Sequence, residues 1–130
     1  MANVLYKKNI FPDLILSSTA VRAFELAKIL AKVFDYKSKH IISERDLYLA
    51  APDEMLKVVR QIDDKNKTVF LVSHNPGITS FANELCGCGI DNIPTTGVVS
   101  IKFDISSWKQ TEYGKGQFEF FDYPRNHYQE

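Results

Sequence analysis

The chain of 130 residues carries no excess charge of either sign, with 16 Lys+Arg against 16 Asp+Glu. A balanced surface offers no general attraction to nucleic acid or to an anionic membrane, so neither is an expected partner. Long hydrophobic runs are missing as well. No stretch approaches the ~20 apolar residues that a membrane-spanning helix needs. The opening segment MANVLYKKNIFPDLILSS interrupts its apolar residues with lysines and does not read as a secretory leader. Cysteine is scarce: Cys86 and Cys88 flank Gly87. That spacing suits neither a disulfide framework nor a zinc knuckle, and it points to a reducing cytoplasm.

Several chemical signatures are absent too. There is no G-x-x-x-x-G-K-[ST] phosphate loop and no G-x-S-x-G elbow, which sets aside a P-loop nucleotide site and a serine-hydrolase site. Gly87-Cys88-Gly89 follows a helical pattern instead of a strand, so it lacks the setting of a dinucleotide fingerprint. No His/Cys set has metal-ligand spacing, and no metal or cofactor is expected. What remains is an ordinary globular composition, 45% hydrophobic and 25% charged. Residues 1–130 read as one domain without repeats or internal linkers, large enough to bury roughly two thirds of the unfolded surface.

The order of apolar patterns is informative. Residues 13–17 (DLILS) form a short apolar run bounded by Pro12 and a Ser-Ser-Thr cluster, which predicts a buried strand. A helix follows over Ala20–Phe34, with apolar residues stepping by three and four and Ser18 or Thr19 as N-cap. His40–Ser43 is a weaker strand. The next helix has Pro52 in its first turn and Asp53 and Glu54 at its positive dipole end. Thr68–Ser73 (TVFLVS) is apolar on both faces, as a central parallel strand would be. Asn75-Pro76 then opens a helix closed by Gly87. Val98–Phe103 and Gln117–Phe121 are β-prone and joined by a turn, as an antiparallel addition at one sheet edge. The pattern predicts a three-layer α/β sandwich with a mostly parallel sheet and antiparallel C-terminal edge strands.

In such sheets ligands bind beyond the carboxyl ends of the strands, where loops enter helices. Two junctions stand out. Arg22 sits in the opening turn of the first long helix, where its charge opposes the helix dipole unless an anion binds beside it. Its planar fork is shaped to grip phosphate, although a contact with Glu25 is the simpler role. At the second junction, His74 follows the central strand and a helix begins behind it. The helix N–H groups there form a small anion cradle, and histidine carries or donates a proton near neutral pH. His40 and His127 read as surface residues. Glu44 and Asp46 stand near the second strand's end, with a general-acid role left unassigned between them.

Together these segments resemble the histidine phosphatase superfamily, in particular phosphohistidine phosphatases of the SixA type. The resemblance rests on residues 12–23 (PDLILSSTAVRA), 69–77 (VFLVSHNPG), 93–97 (IPTTG) and 123–125 (YPR). It implies the phosphoglycerate mutase-like fold and hydrolysis through a phosphohistidine intermediate, without a metal. One histidine attacks phosphorus in line, while arginines and a second histidine hold the equatorial oxygens. His74 matches that second, non-nucleophilic histidine and is the expected catalytic residue of this chain. Arg22, His74 and Asn75 are the expected phosphate ligands.

The resemblance also defines a departure. The family opens on a strand ending in Arg-His, whose histidine is the nucleophile, and no Arg-His pair occurs in these 130 residues. Met1–Lys8 resembles the tail of the helix that follows that strand. The chain is therefore expected to resemble a family member that starts late, with little or no turnover alone. Phosphate or a phosphohistidine-bearing protein is the expected partner, and a homodimer covering the open edge is a further expectation. The alternative is a non-catalytic phosphate-binding module or an α/β interaction domain.

Overall fold

A computed structural model of the chain describes residues 1–124. Arg125 and His127, which the sequence reading singled out, lie outside the described residues. The helices are α1 (Ala2–Lys7), α2 (Val21–Val33), α3 (Pro52–Arg60) and α4 (Gly77–Cys86). The strands are β1 (Leu14–Ser18), β2 (Ile42–Glu44), β3 (Val69–Val72), β4 (Val98–Lys102) and β5 (Gln117–Asp122). All the main elements expected from the sequence form, with ends shifted by a residue or two. His40 is the exception: it closes a short 3-10 turn, Ser38–His40, instead of opening the strand.

Three strands form a parallel sheet in the order β2-β1-β3. Its register is set from one end by Asp13. The Asp13 N–H donates to the Thr68 carbonyl at 2.8 Å, and its carboxylate accepts from the Lys67 and Thr68 amides at 2.7 and 2.9 Å. From there Leu14 pairs with Val69 and Ser17 with Val72. Because side chains alternate across a strand, β1 feeds two cores. Leu14 and Leu16 pack with Met55, Leu56, Val59, Phe81 and Leu85 of α3 and α4. Ile15 packs on the other face with Ala23, Ala27 and Ala31 of α2, and Phe70 joins it. Three layers result, with every residue of β1 buried.

The C-terminal strands depart from the expected arrangement. β4 and β5 pair antiparallel with a register shift between Ser100 and Ile101, and they form a sheet of their own. Among the described residues, β3 hydrogen-bonds only to β1 and β4 only to β5. The strand read as central is therefore at an edge, and Val69, Phe70 and Leu71 are only half-buried. Side chains bind the two sheets together. Ile101 and Phe103 pack against the α3–α4 core, while Lys8 Nζ sits 4.8 Å from the Phe120 ring centroid. Tyr6 and Phe11 meet Phe34, which reaches Phe70 edge-on at 5.4 Å.

Two smaller differences have local causes. Ala20, not Ser18 or Thr19, holds the N-cap position of α2; the Ser18 hydroxyl instead accepts from the Ala20 N–H at 3.2 Å. Cys86 and Cys88, whose spacing argued against a bridge, are joined as a disulfide. Gly87 between them takes φ 61° and caps α4, and this left-handed residue brings its two neighbours together.

Candidate functional site

The carboxyl ends of β1 and β3 lie side by side, with Ser17 opposite Val72. Arg22 follows one end by four residues beyond Ser18, and His74 follows the other two residues beyond Val72. Topology thus brings both predicted junctions to one sheet edge. A cleft of about 280 Å³ opens there, lined on one side by His74, Asn75 and Pro76 of the turn after β3 and by Gly77 and Ser80 of α4. Its other wall is the segment entering α3: Leu49, Ala50, Ala51 and Pro52. Two helix N-termini therefore meet at one cleft, and both present partial positive charge.

His74 is half-buried, and its Nε2 is sealed from solvent with no hydrogen-bond partner among the described residues. A buried polar nitrogen without a partner costs on the order of 1–3 kcal/mol, so it is a group that gains by meeting a ligand. The Tyr48 ring approaches the imidazole edge-on, centroid to centroid 6.1 Å. Behind it, α4 starts tightly. The His74 carbonyl accepts from Ile78 N–H at 3.2 Å and the Pro76 carbonyl from Ser80 N–H at 3.2 Å. The Asn75–Pro76 bond is cis.

Asn75 lines the cleft, but its side chain is committed elsewhere. Its Nδ2 donates to Asn92 Oδ1 at 3.1 Å and to the Ile93 carbonyl at 2.8 Å, and its Oδ1 accepts from Thr79. The Thr79 hydroxyl in turn accepts from Ile93 N–H at 3.0 Å. This closed ring fastens the loop before β4 to the start of α4.

Arg22 is exposed and does not line the cleft. Among the described residues it has neither an ion-pair nor a hydrogen-bond partner; Glu25 pairs with Lys28 at 3.3 Å instead. Glu44 and Asp46 are also outside the cleft. The Glu44 carboxylate accepts from the Asp46 N–H at 3.2 Å and caps the short turn Arg45–Leu47. His40 lies with Tyr36, whose hydroxyl donates to the His40 carbonyl at 2.9 Å. No group of three or more His, Cys, Asp or Glu side chains suited to a metal ion occurs among the described residues.

Sequence reasoning missed the α3 wall. Leu49, Ala50 and Ala51 carry no chemical signature, and Pro52 was legible only as a helix start. The available signal was positional, since a helix N-terminus two strands away from His74 converges on the same sheet edge. Close approach makes that wall possible. A Cβ on Gly77 would collide with the Ala50 carbonyl and lie 2.9 Å from Met55 Cε. Only glycine lets the start of α4 touch the loop before α3.

No protein-family model matches the chain. An uncharacterized protein of Mycobacterium leprae (strain TN) is 31% identical over 88 residues, which is 61% of this chain and 54% of that protein. The match thus spans about half the length of that curated relative. Solved structures align much further. One from Nakamurella multipartitia, assigned as phosphohistidine phosphatase SixA, superposes with a TM-score of 0.78 at 17% identity, over 95% of this chain and 77% of the other. A second such assignment, from Agrobacterium tumefaciens, gives 0.77 at 22% identity, over 95% and 75%. The protein histidine phosphatase SixA complexed with tungstate gives 0.78 at 19% identity, over 96% and 77%.

The chain therefore has the SixA-type histidine phosphatase fold, which is phosphoglycerate mutase-like. No helix among the described residues is long and apolar enough to cross a membrane.

Proposed function

We propose that this chain is a phosphatase-like protein that binds a phosphoryl group in the His74 cleft, with phosphohistidine on a protein as the ligand class. The observation that carries the proposal is the buried, unpartnered Nε2 of His74 beside two converging helix N-termini. A phosphoryl oxygen placed there gains from both dipoles and accepts a hydrogen bond from His74 once the imidazole turns its sealed Nε2 toward the cleft. Asn75, Pro76 and Gly77 complete that end of the cleft. Arg22, exposed and without a partner among the described residues, follows β1 at the same end of the sheet and supplies a cation that swings onto the anion once it arrives.

In a complete reaction of this kind, a nucleophile attacks phosphorus in line and the leaving group departs opposite. The negative charge spread over the equatorial oxygens is stabilised by fixed donors. This chain offers the donors. It contains no Arg-His pair to act as nucleophile and first cation, so we propose binding with little or no turnover by these 130 residues alone. A cytoplasmic phosphoprotein partner belongs to the same proposal. So does a homodimer in which a strand from a second copy pairs with the open edges of β3 and β4, satisfying their backbone groups.

Thermal unfolding in rising inorganic phosphate tests the binding, because a ligand specific to the native state stabilises by about 2.7 kcal/mol at a hundred times its Kd. The melting temperature is expected to climb with phosphate in the wild type and to stay flat in His74→Ala. A flat wild-type response would sink the proposal. Turnover of phosphohistidine or an aryl phosphate that disappears in His74→Ala would show that the chain is catalytic after all.

A further inference from the structure

Leu49 combines properties that rarely occur together. Its backbone φ is 51°, in the left-handed region, where a side chain as bulky as leucine is strained. The residue is 71% exposed, so burial does not offset that strain. It also lines the His74 cleft. Backbone strain of this sort persists only where the surroundings impose it, and it concentrates at functional sites.

The surroundings here are identifiable. Leu47 is fully buried, and its carbonyl accepts from the Ser73 hydroxyl at 3.2 Å and from Ala50 N–H at 3.4 Å. Ala50 is buried with its carbonyl against Gly77. The Ala51 N–H is held by the Glu54 carboxylate at 3.0 Å. The chain must therefore pass from one anchor to the next through Tyr48 and Leu49 alone. Glycine or asparagine would make that turn at lower cost.

The cleft has two chemical halves. His74, Asn75 and Ser80 are the polar residues of its lining, all on one side with Pro76 and Gly77; the other side, Leu49, Ala50, Ala51 and Pro52, is apolar throughout. We infer that Leu49 is a specificity-determining residue, an apolar wall that selects phosphoryl groups attached to a ring over free inorganic phosphate. This rests on the phosphoryl-binding reading of the cleft. The anionic end of such a ligand meets His74, while its ring covers the Leu49 side chain and removes that apolar surface from water.

The test compares phenylphosphonate, which carries a ring and resists hydrolysis, with inorganic phosphate by calorimetric titration of the full chain. The proteins are wild type, Leu49→Gly, Leu49→Asn and His74→Ala. Wild type is expected to bind phenylphosphonate about tenfold more tightly than phosphate, the effect of burying part of a ring. Both Leu49 variants are expected to bring the ratio to about one or two while the phosphate affinity holds. Glycine and asparagine both tolerate the left-handed backbone, so both variants should fold, with melting temperatures at or above wild type. A ratio unchanged by both substitutions, or equal weakening of both ligands, overturns the inference while the phosphoryl-binding reading of the cleft stands. Failure of wild type to bind either ligand removes the phosphoryl reading and this inference together.

Discussion

The Ser73 hydroxyl donates to the Leu47 carbonyl at 3.2 Å, fastening the residue beside His74 to the loop that forms the cleft's other wall. The two residues are 26 positions apart, and the bond crosses from β3 to the turn ahead of α3. It couples the nitrogen-bearing side of the site to the apolar side.

Ser73→Ala removes that tie. The bond is expected to contribute about 1 kcal/mol, since it exchanges with water on unfolding. The melting temperature should then fall by about 4 °C for a chain of this length. The Tyr48–Leu49 segment should exchange its amide hydrogens faster than in wild type. An unchanged melting temperature with unchanged exchange would show that buried Leu47 alone holds the wall.

Gly77→Ala probes the same junction from α4. The added methyl meets the Ala50 backbone, which cannot swing aside as a flexible side chain would. Overpacking of this kind costs about 1–3 kcal/mol. The expected result is a lower urea midpoint with a weakened phosphate response, because Ala50 is displaced from the cleft wall. Wild-type stability in this variant would mean that the two segments separate readily.

Arg22→Ala separates fold from ligand. The side chain is exposed, and unpaired among the described residues, in the first turn of α2, where a cation opposes the dipole. Its removal should leave stability within about 0.5 kcal/mol of wild type. The phosphate affinity, followed by thermal shift, should nevertheless drop by about tenfold, the value of a lost charge-assisted hydrogen bond. An unaltered phosphate response would take Arg22 out of the site.

Much of the fold was readable because the signals were local. The apolar run at 13–17, Pro52 at a helix start and Gly87 at a helix end each act through their own backbone, and the strand they predict forms one residue later, at Leu14–Ser18, while the helix start and end fall as expected. Strand neighbours were less readable. Val69–Val72 is apolar on both faces whether it sits inside a sheet or at an edge, so its pattern does not reveal that β4 stands apart from it. His74 and Arg22 were legible as polar side chains just beyond strand ends; of the two, only His74 lines the cleft. Leu49 was not, because a left-handed leucine has no sequence signature and is fixed by Ser73, Gly77 and Glu54 acting on its neighbours.

The Tyr113–Asp53 bond makes stability depend on alkaline pH. The phenol donates to Asp53 Oδ1 at 2.6 Å and joins the segment before β5 to the first turn of α3. Partial burial, then the bond to Asp53 and its negative charge, raise the Tyr113 pKa from 10.0 to about 12. A pKa raised on folding adds stability that is fully present below the unfolded value and lost as pH climbs through the folded one. The loss should therefore run between about pH 10 and 12, and solvent screening limits it to about 1 kcal/mol. Tyr113→Phe should be less stable than wild type at neutral pH and should close that gap as the pH rises through this window. Parallel curves for the two proteins would exclude the bond as the source.

The open strand edges lead to the last expectation, which concerns assembly. β3 and β4 each leave one row of backbone N–H and C=O groups without a strand partner among the described residues. Half-burial of Val69, Phe70 and Leu71 adds apolar surface to the β3 edge. Edges of this kind recruit another strand, because pairing satisfies groups that water satisfies less well once apolar neighbours surround them. Sedimentation equilibrium should accordingly show a mass rising with concentration from 14.9 kDa toward twice that value. Hydrogen exchange should locate the contact, with protection at Val69–Val72 and Val98–Lys102 growing as the protein is concentrated. Growth in mass with protection elsewhere would place the interface on another face. A constant monomer mass up to about 100 μM, where weak but specific pairs still form, would refute the dimer.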